Sequence, residues 1–293
     1  MTAKLSPEFI EIAWGERQVR IEHAWINREQ ADQPLMVFLH EGLGSLAMWK
    51  AFPQQLCDAL ACRGLVYSRP GYGRSTPRAA DEWWDADFLH RQAFEVLPAL
   101  LLALGVDAAR DKPWLLGHSD GGSIALLYAA QFPHQVAGAV VLAPHIQVED
   151  VAITSIALAR QAYEASDLRQ RLARFHDDPD SAFWGWNRVW LHPPFKAWSI
   201  EDEIGNIRCP LLAVQGRGDE YGTLAQIHGI KSRVPQTELL ALDNCGHSPH
   251  RDQSETLIQA VSTFFSSHAG SGSGAGSGAG SGAGAVAGPG PSR

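Results

Sequence analysis

Apolar and polar positions follow two rhythms along this chain. Near the front, residues 9–14 and 18–26 alternate in part with a period of two, around Gly15-Glu16-Arg17. That pattern predicts a β-hairpin. After the turn Asp32-Gln33-Pro34 the run LMVFL, residues 35–39, is apolar throughout. A continuous apolar run of this length suits a strand buried on both faces, as in a parallel sheet. Similar runs recur at 65–67, 114–116, 139–142 and 211–214, with helix-like stretches at 48–63, 85–104 and 123–132 between them. Strand and helix alternate, which predicts an α/β fold with βαβ crossovers, a mostly parallel sheet and helices on both of its faces.

The rhythm breaks after Pro144 and resumes at Cys209-Pro210. The intervening stretch has helix-like character at 151–174 and carries Trp184, Trp186, Trp190 and Trp198. It reads as a helical, Trp-rich cap, residues 145–203, inserted into a core made of 1–144 and 204–268. The tryptophans either belong to an ordinary core or form an aromatic wall over an apolar pocket. Residues 269–293 hold 10 of the 28 glycines and no side chain larger than Val before Arg293. Such a stretch cannot bury enough apolar surface to offset its chain entropy, so a disordered Gly/Ala/Ser tail is expected.

Charge narrows the function classes. The formal net charge is −8 and no basic cluster appears, so the electrostatic footprint of a nucleic-acid binder is missing. The longest apolar stretch, 97–106, is far short of the roughly twenty residues that span a bilayer. The first residues show no signal-peptide pattern. A cytoplasmic protein that is not membrane-bound is therefore expected. Cys57, Cys62, Cys209 and Cys245 form no C-x-x-C pair and read as free thiols. Cys245, His247 and His250 are too weak a pattern for a metal site, and neither metal nor organic cofactor is expected.

The chemistry concentrates at PWLLGHSDGGS, residues 113–123. An apolar strand ends at Gly117, a helix-like stretch follows, and Gly117-His118-Ser119-Asp120-Gly121 between them matches G-x-S-x-G. A sharp strand-to-helix turn leaves the Ser119 hydroxyl projecting above the sheet. Gly117, Gly121 and Gly122 supply the room that such a strained backbone needs. The positive end of the following helix then points at the place where negative charge develops in acyl transfer.

With these residues in view the chain resembles the α/β-hydrolase fold over roughly 9–268. LMVFLHEGLGS, SRPGYGRS, GHSDGG, and the pair QGRGDEYG and NCGHSPH carry the likeness in family order. The detail is most similar to small carboxylester, enol-lactone and C–C bond serine hydrolases. The resemblance implies a catalytic triad of Ser119, Asp219 and His247, each just past a strand end. Glu220 and Asp243 are rival acids. His250 reads as a surface residue. A serine hydroxyl needs a base with a pKa near the working pH, and an ionised carboxylate to orient that base.

The resemblance also implies an oxyanion hole of backbone N–H groups from Asp120 and from the loop after LMVFL, at Leu43 or Gly42. That loop departs from the family's His-Gly, because Glu41 follows His40 directly. Glu41 either touches substrate or His40, or faces solvent. The Asp120 side chain is expected to pair with Arg69 or Arg74 or to tune the polarity of the site. Candidate substrate contacts are His40, Glu41, Trp184, Trp186 and Trp190. The expected activity is hydrolysis of a small apolar or aromatic ester, lactone or activated C–C bond through an acyl-enzyme on Ser119. Perhydrolase or haloperoxidase-like, aminopeptidase and acyltransferase chemistry are alternatives within the fold, as is a ligand receptor that does not turn over. Oligomeric state is open.

Overall fold

A computed structural model describes residues 5–269. The tail expected at 269–293 lies outside them, apart from Ala269, which ends the last helix. Eight strands form one sheet: β1 (Glu8–Trp14), β2 (Arg17–Ile26), β3 (Leu35–Leu39), β4 (Arg63–Tyr67), β5 (Trp114–His118), β6 (Gly138–Leu142), β7 (Leu211–Gly216) and β8 (Glu238–Leu242). Their spatial order is β1-β2-β4-β3-β5-β6-β7-β8. The hairpin β1–β2 is antiparallel and turns at Gly15, with Trp14 opposite Arg17; β2 joins β4 antiparallel, and every later pairing is parallel.

The fully apolar strands have the burial their pattern demands. In β3, Leu35, Val37 and Leu39 enter one core layer while Met36 and Phe38 enter the other. β6 and β7 divide the same way: Ala139, Val141, Leu211 and Ala213 face one side, Val140, Leu142, Leu212 and Val214 the other. A strand covered by helices on both faces has no polar side to show. One cover holds α5 (Asp120–Gln131), apolar and buried almost throughout; the other holds α1 (Phe52–Leu60) and α11 (Ser254–Ala269).

Three predicted helices are interrupted. The stretch 48–63 begins as a 3₁₀ turn, Leu46–Trp49, breaks at Lys50 with φ 54°, and resumes as α1. Pro53 has no N–H to bond back to residue 49, so one continuous helix cannot form. The stretch 85–104 is α2 (Phe88–Arg91) and α3 (Leu97–Ala103) joined by a π turn, Gln92–Val96, ahead of Pro98, whose missing N–H frees a carbonyl one turn back. After the short α4 (Ala108–Asp111) and α5, the stretch 151–174 is α6 (Asp150–Ala165) and α7 (Leu168–Leu172), separated where Ser166 turns extended.

α8 (Pro179–Trp190) completes the helices between β6 and β7. The two ends of that segment are stitched together by a bridge between Gln147 and Ser199 and by Ile200 N–H donating to Ile146 C=O. α9 (Ala225–Arg233) and α10 (Pro249–Asp252) follow β7 and β8. The sheet places β3 between β4 and β5, so the crossover from β3 to β4 runs one way along the sheet and the crossover from β4 to β5 runs back past β3 the other way. Such a switch point opens a crevice at the carboxyl ends of the strands. No described helix is long and apolar enough to cross a membrane.

Candidate active site

The crevice is built first by the turn from β5 into α5. Ser119 sits there with φ 53° and ψ −119°, a strained conformation for a residue with a side chain. A Cβ on Gly117 would collide with the Gly121 carbonyl, and one on Gly121 with the Leu39 carbonyl. The turn is therefore closed by backbone packed on backbone, which only glycine permits. Ser119 N–H donates to Leu142 C=O at 2.9 Å, tying the turn to β6. Asp120 opens α5, so its N–H has no partner within the helix.

His247 and Asp219 meet from the loops after β8 and β7. His247 Nδ1 lies 2.8 Å and 2.9 Å from the two Asp219 carboxylate oxygens. The same carboxylate accepts from Gln215 Nε2 at 2.5 Å and from Tyr221 N–H at 2.8 Å. Burial would raise the Asp219 carboxyl, but the His247 hydrogen bond and charge and the Tyr221 N–H outweigh it, and the group is held below its ordinary value. Glu220 reaches the His247 backbone N–H instead, at 3.3 Å, and Asp243 pairs with Arg217 in solvent.

The loop after β3 supplies the facing wall. His40 is sealed away from the cavity: Nδ1 donates to Glu41 C=O at 2.7 Å and Nε2 accepts from Arg69 N–H at 3.0 Å. Burial, with Arg69 beside it, holds this imidazole well below the usual range and hence neutral. Gly42 and Leu43 line the cavity together with Ser119 and His247. Leu43 C=O accepts from His176 Nε2 at 3.1 Å, while His176 Nδ1 accepts from Gly73 N–H at 2.9 Å. One histidine from the segment between β6 and β7 thus fixes the carbonyl of this loop. The Glu41 side chain turns to His118 and Arg251, away from His40 and from open solvent.

The cavity measures about 180 Å³. Ile156, Trp186, Trp190, Tyr221 and His145 form much of its wall, with Glu41, Glu220 and Arg251 at its polar side. Trp184 is elsewhere, packed edge-on against Tyr163 and Phe183 with Arg160 and Arg188 over its ring. Trp190 reaches through the wall to donate to Asp120 Oδ1 at 3.1 Å, and Arg69 lies 3.6 Å from Oδ2 of the same carboxylate. Arg74 pairs with Asp177 at the surface. A larger groove of about 640 Å³, lined by Glu22, Lys50, Arg74 and Arg174, includes neither Ser119 nor His247.

Three histidines went unmarked as site residues in the sequence or were misplaced there. His145 borders the cavity with its ring 5.9 Å from that of His247, and burial lowers its pKa to about 3. Its signal was its place just past the end of β6, as Ser119 and Asp219 lie just past the ends of β5 and β7. His118 occupies the variable position of the G-x-S-x-G match and is buried. His250 is buried against Trp49, Phe52 and His118, contrary to the surface position read for it, and burial lowers it to about 2. Among the described residues no group of three or more His, Cys, Asp or Glu is placed to hold a metal ion.

Comparison with known proteins places this geometry in context. The chain is 24% identical over 263 residues to a 2-hydroxy-6-oxo-6-phenylhexa-2,4-dienoate hydrolase of Burkholderia cepacia, covering 79% of this chain and 87% of that one. It is also 24% identical over 293 residues to a bifunctional esterase/perhydrolase of Acinetobacter calcoaceticus, covering 87% and 94%. Among solved structures, the enol-lactonase from Burkholderia xenovorans superposes with a TM-score of 0.67 at 17% identity, over 88% of this chain and all of that one. The family model described as the alpha/beta hydrolase family matches residues 36–260. The sheet order, the strained turn at Ser119 and this match agree: the chain belongs to the alpha/beta hydrolase family.

Proposed function

We propose that this protein is a serine hydrolase of small, uncharged esters or lactones, with Ser119 as nucleophile, His247 as general base and Asp219 as its orienting acid. The observation that carries this reading is the His247–Asp219 contact, at 2.8 and 2.9 Å, with Asp219 buried behind His247 and His247 in the wall of the cavity that Ser119 also lines. An ionised Asp219 keeps the proton on His247 Nδ1 and leaves Nε2 as the basic nitrogen. His247 takes the serine proton, Ser119 bonds to the acyl carbon, and the proton passes to the leaving group. Water then attacks the acyl-enzyme through the same base. The N–H groups of Asp120 and of Leu43 or Gly42 are the proposed oxyanion donors. Residues 145–203 act as the cap, through Trp186 and Trp190.

Size and charge of the cavity support the substrate class. A cavity of roughly 150 Å³ holds a benzene ring, so 180 Å³ suits a short acyl chain or one aromatic ring. The wall carries Glu41 and Glu220, and the Arg251 guanidinium is already 3.4 Å from Glu41. A substrate carboxylate would meet like charge there. This favours uncharged esters over the anionic dienoate named for the Burkholderia cepacia relative.

The test is hydrolysis of p-nitrophenyl acetate and of an anionic dienoate by wild type and by Ser119→Ala. Many turnovers on the ester, lost by at least about 10³-fold in Ser119→Ala, are expected. Equal rates in the two proteins would remove Ser119 from the mechanism. One slow turnover per molecule would make the protein a receptor.

A further inference from the structure

His247 is held from two sides. On one side its ring meets Asp219. On the other its backbone carbonyl accepts from His118 Nε2 at 2.6 Å. His118 ends β5, one residue before Ser119, and its side chain is 1% exposed. Its Nδ1 lies 3.6 Å from Glu41 Oε2, and the other Glu41 oxygen lies 3.4 Å from the Arg251 guanidinium. Arg251 belongs to α10, immediately after the His247 loop, so Glu41 touches that loop's neighbourhood twice. His118 Nε2 faces a carbonyl, which only accepts, while Nδ1 is buried without a hydrogen-bond partner and has the Glu41 carboxylate as its charged neighbour.

We propose that Glu41 and His118 are positioning residues, a second carboxylate–imidazole couple that holds the His247 backbone as Asp219 holds its ring. This rests on the reading of His247 as general base. The surroundings suit the role. The His118 ring is enclosed by Trp49 at 6.4 Å, His250 at 4.8 Å and His247 at 5.1 Å between centroids. Burial alone would raise the Glu41 carboxyl, but His118, His250 and Arg251 hold it well below the usual carboxylate range. Gly44 makes room for the couple, because a Cβ there would strike the Glu41 carboxylate.

The mechanical consequence is specific. Without the Glu41 carboxylate, the contacts that fix His118 Nδ1 and the Arg251 guanidinium are lost, so the donation from His118 Nε2 to the His247 carbonyl loosens and the loop shifts. A displacement of about 1 Å at a catalytic group costs up to about 10²-fold in rate. A direct substrate contact by Glu41 predicts another signature, a raised KM with kcat preserved.

Glu41→Gln, Glu41→Asp, His118→Leu and the Glu41→Gln/His118→Leu double variant are compared with wild type in the full chain, using p-nitrophenyl acetate. Glu41→Gln is expected to lower kcat about tenfold with KM within about twofold, and Glu41→Asp to recover part of the loss. The double variant should be no slower than the slower single, because the two residues act in series. Hydrogen exchange read by mass spectrometry over 243–251 needs no turnover and is the second readout. Glu41→Gln should raise exchange there and leave β3 and β6 unchanged. An unchanged kcat, a raised KM with kcat preserved, losses that multiply in the double variant, or unchanged exchange would each overturn the proposal. If wild type and Ser119→Ala were equally active, the hydrolase reading would fail while the exchange result still judged the couple.

Discussion

Trp190 Nε1 donates to Asp120 Oδ1 at 3.1 Å, so the last residue of α8 holds the side chain next to Ser119. The other oxygen of that carboxylate faces the Arg69 guanidinium at 3.6 Å, with both side chains fully buried. Asp120→Asn keeps the shape and an acceptor for Trp190 but leaves the Arg69 charge unpaired. A loss of about 3–5 kcal/mol in stability is expected, measured by urea denaturation. The Asp120 N–H survives, so kcat of the folded protein should fall by less than about tenfold. A variant as stable as wild type would show that the Arg69–Asp120 pair carries no weight.

Asp219→Asn tests the proposed orienting acid. An amide in place of the carboxylate can present its NH₂ to His247 Nδ1 and favour the wrong tautomer. A fall in kcat of about 10³–10⁴-fold with little change in KM is expected on p-nitrophenyl acetate. Glu220, which meets only the His247 backbone N–H, should matter far less: Glu220→Gln is expected to cost under about tenfold. The reverse ranking would exchange the two roles.

Trp186 sets the cavity's width, because its indole lies where a Cβ on Gly42 would go. Trp186→Ala should raise kcat/KM for p-nitrophenyl hexanoate relative to acetate by about tenfold or more. It should cost about 3–5 kcal/mol of stability, since the side chain is only 6% exposed. An unchanged hexanoate-to-acetate ratio would place the acyl site elsewhere.

Stability should fall on mild acidification. Burial depresses His145 to about 3 and His250 to about 2, against an ordinary value of 6.5. Between those limits the unfolded chain binds protons that the folded one refuses, so stability rises with pH. It is fully present above about pH 6.5 and drains as pH falls toward 3, by up to about 1.4 kcal/mol per pH unit for each histidine. His40 and His176 are lowered in the same direction. Denaturation midpoints from pH 7.5 to 4.5 measure the slope, and His250→Leu should flatten it by about one proton. A flat profile in wild type would mean that these imidazoles are not excluded from water as described.

The continuous apolar runs, the two glycines around Ser119 and the order of the four family motifs were legible because each is a local pattern read on consecutive residues. Period and run length decide which faces a strand must bury, and LMVFL has no polar face to leave uncovered. Pro53 and Pro98 were equally visible, and the breaks at Lys50 and the π turn follow from their missing N–H groups. What the chain order could not tell was partnership. Glu41 and Arg251 are 210 residues apart, and nothing in either neighbourhood announces that they meet. His176 and Leu43, 133 residues apart, are joined only because the segment between β6 and β7 folds back over the sheet. The same return of chain puts Trp186 and Trp190 in the cavity wall and turns Trp184 away, although all three lie on one helix. Local sequence chooses which elements form and which faces are apolar. The side chain that finally satisfies a buried carboxylate or imidazole is chosen by packing, which brings distant residues within hydrogen-bond reach and shuts water out.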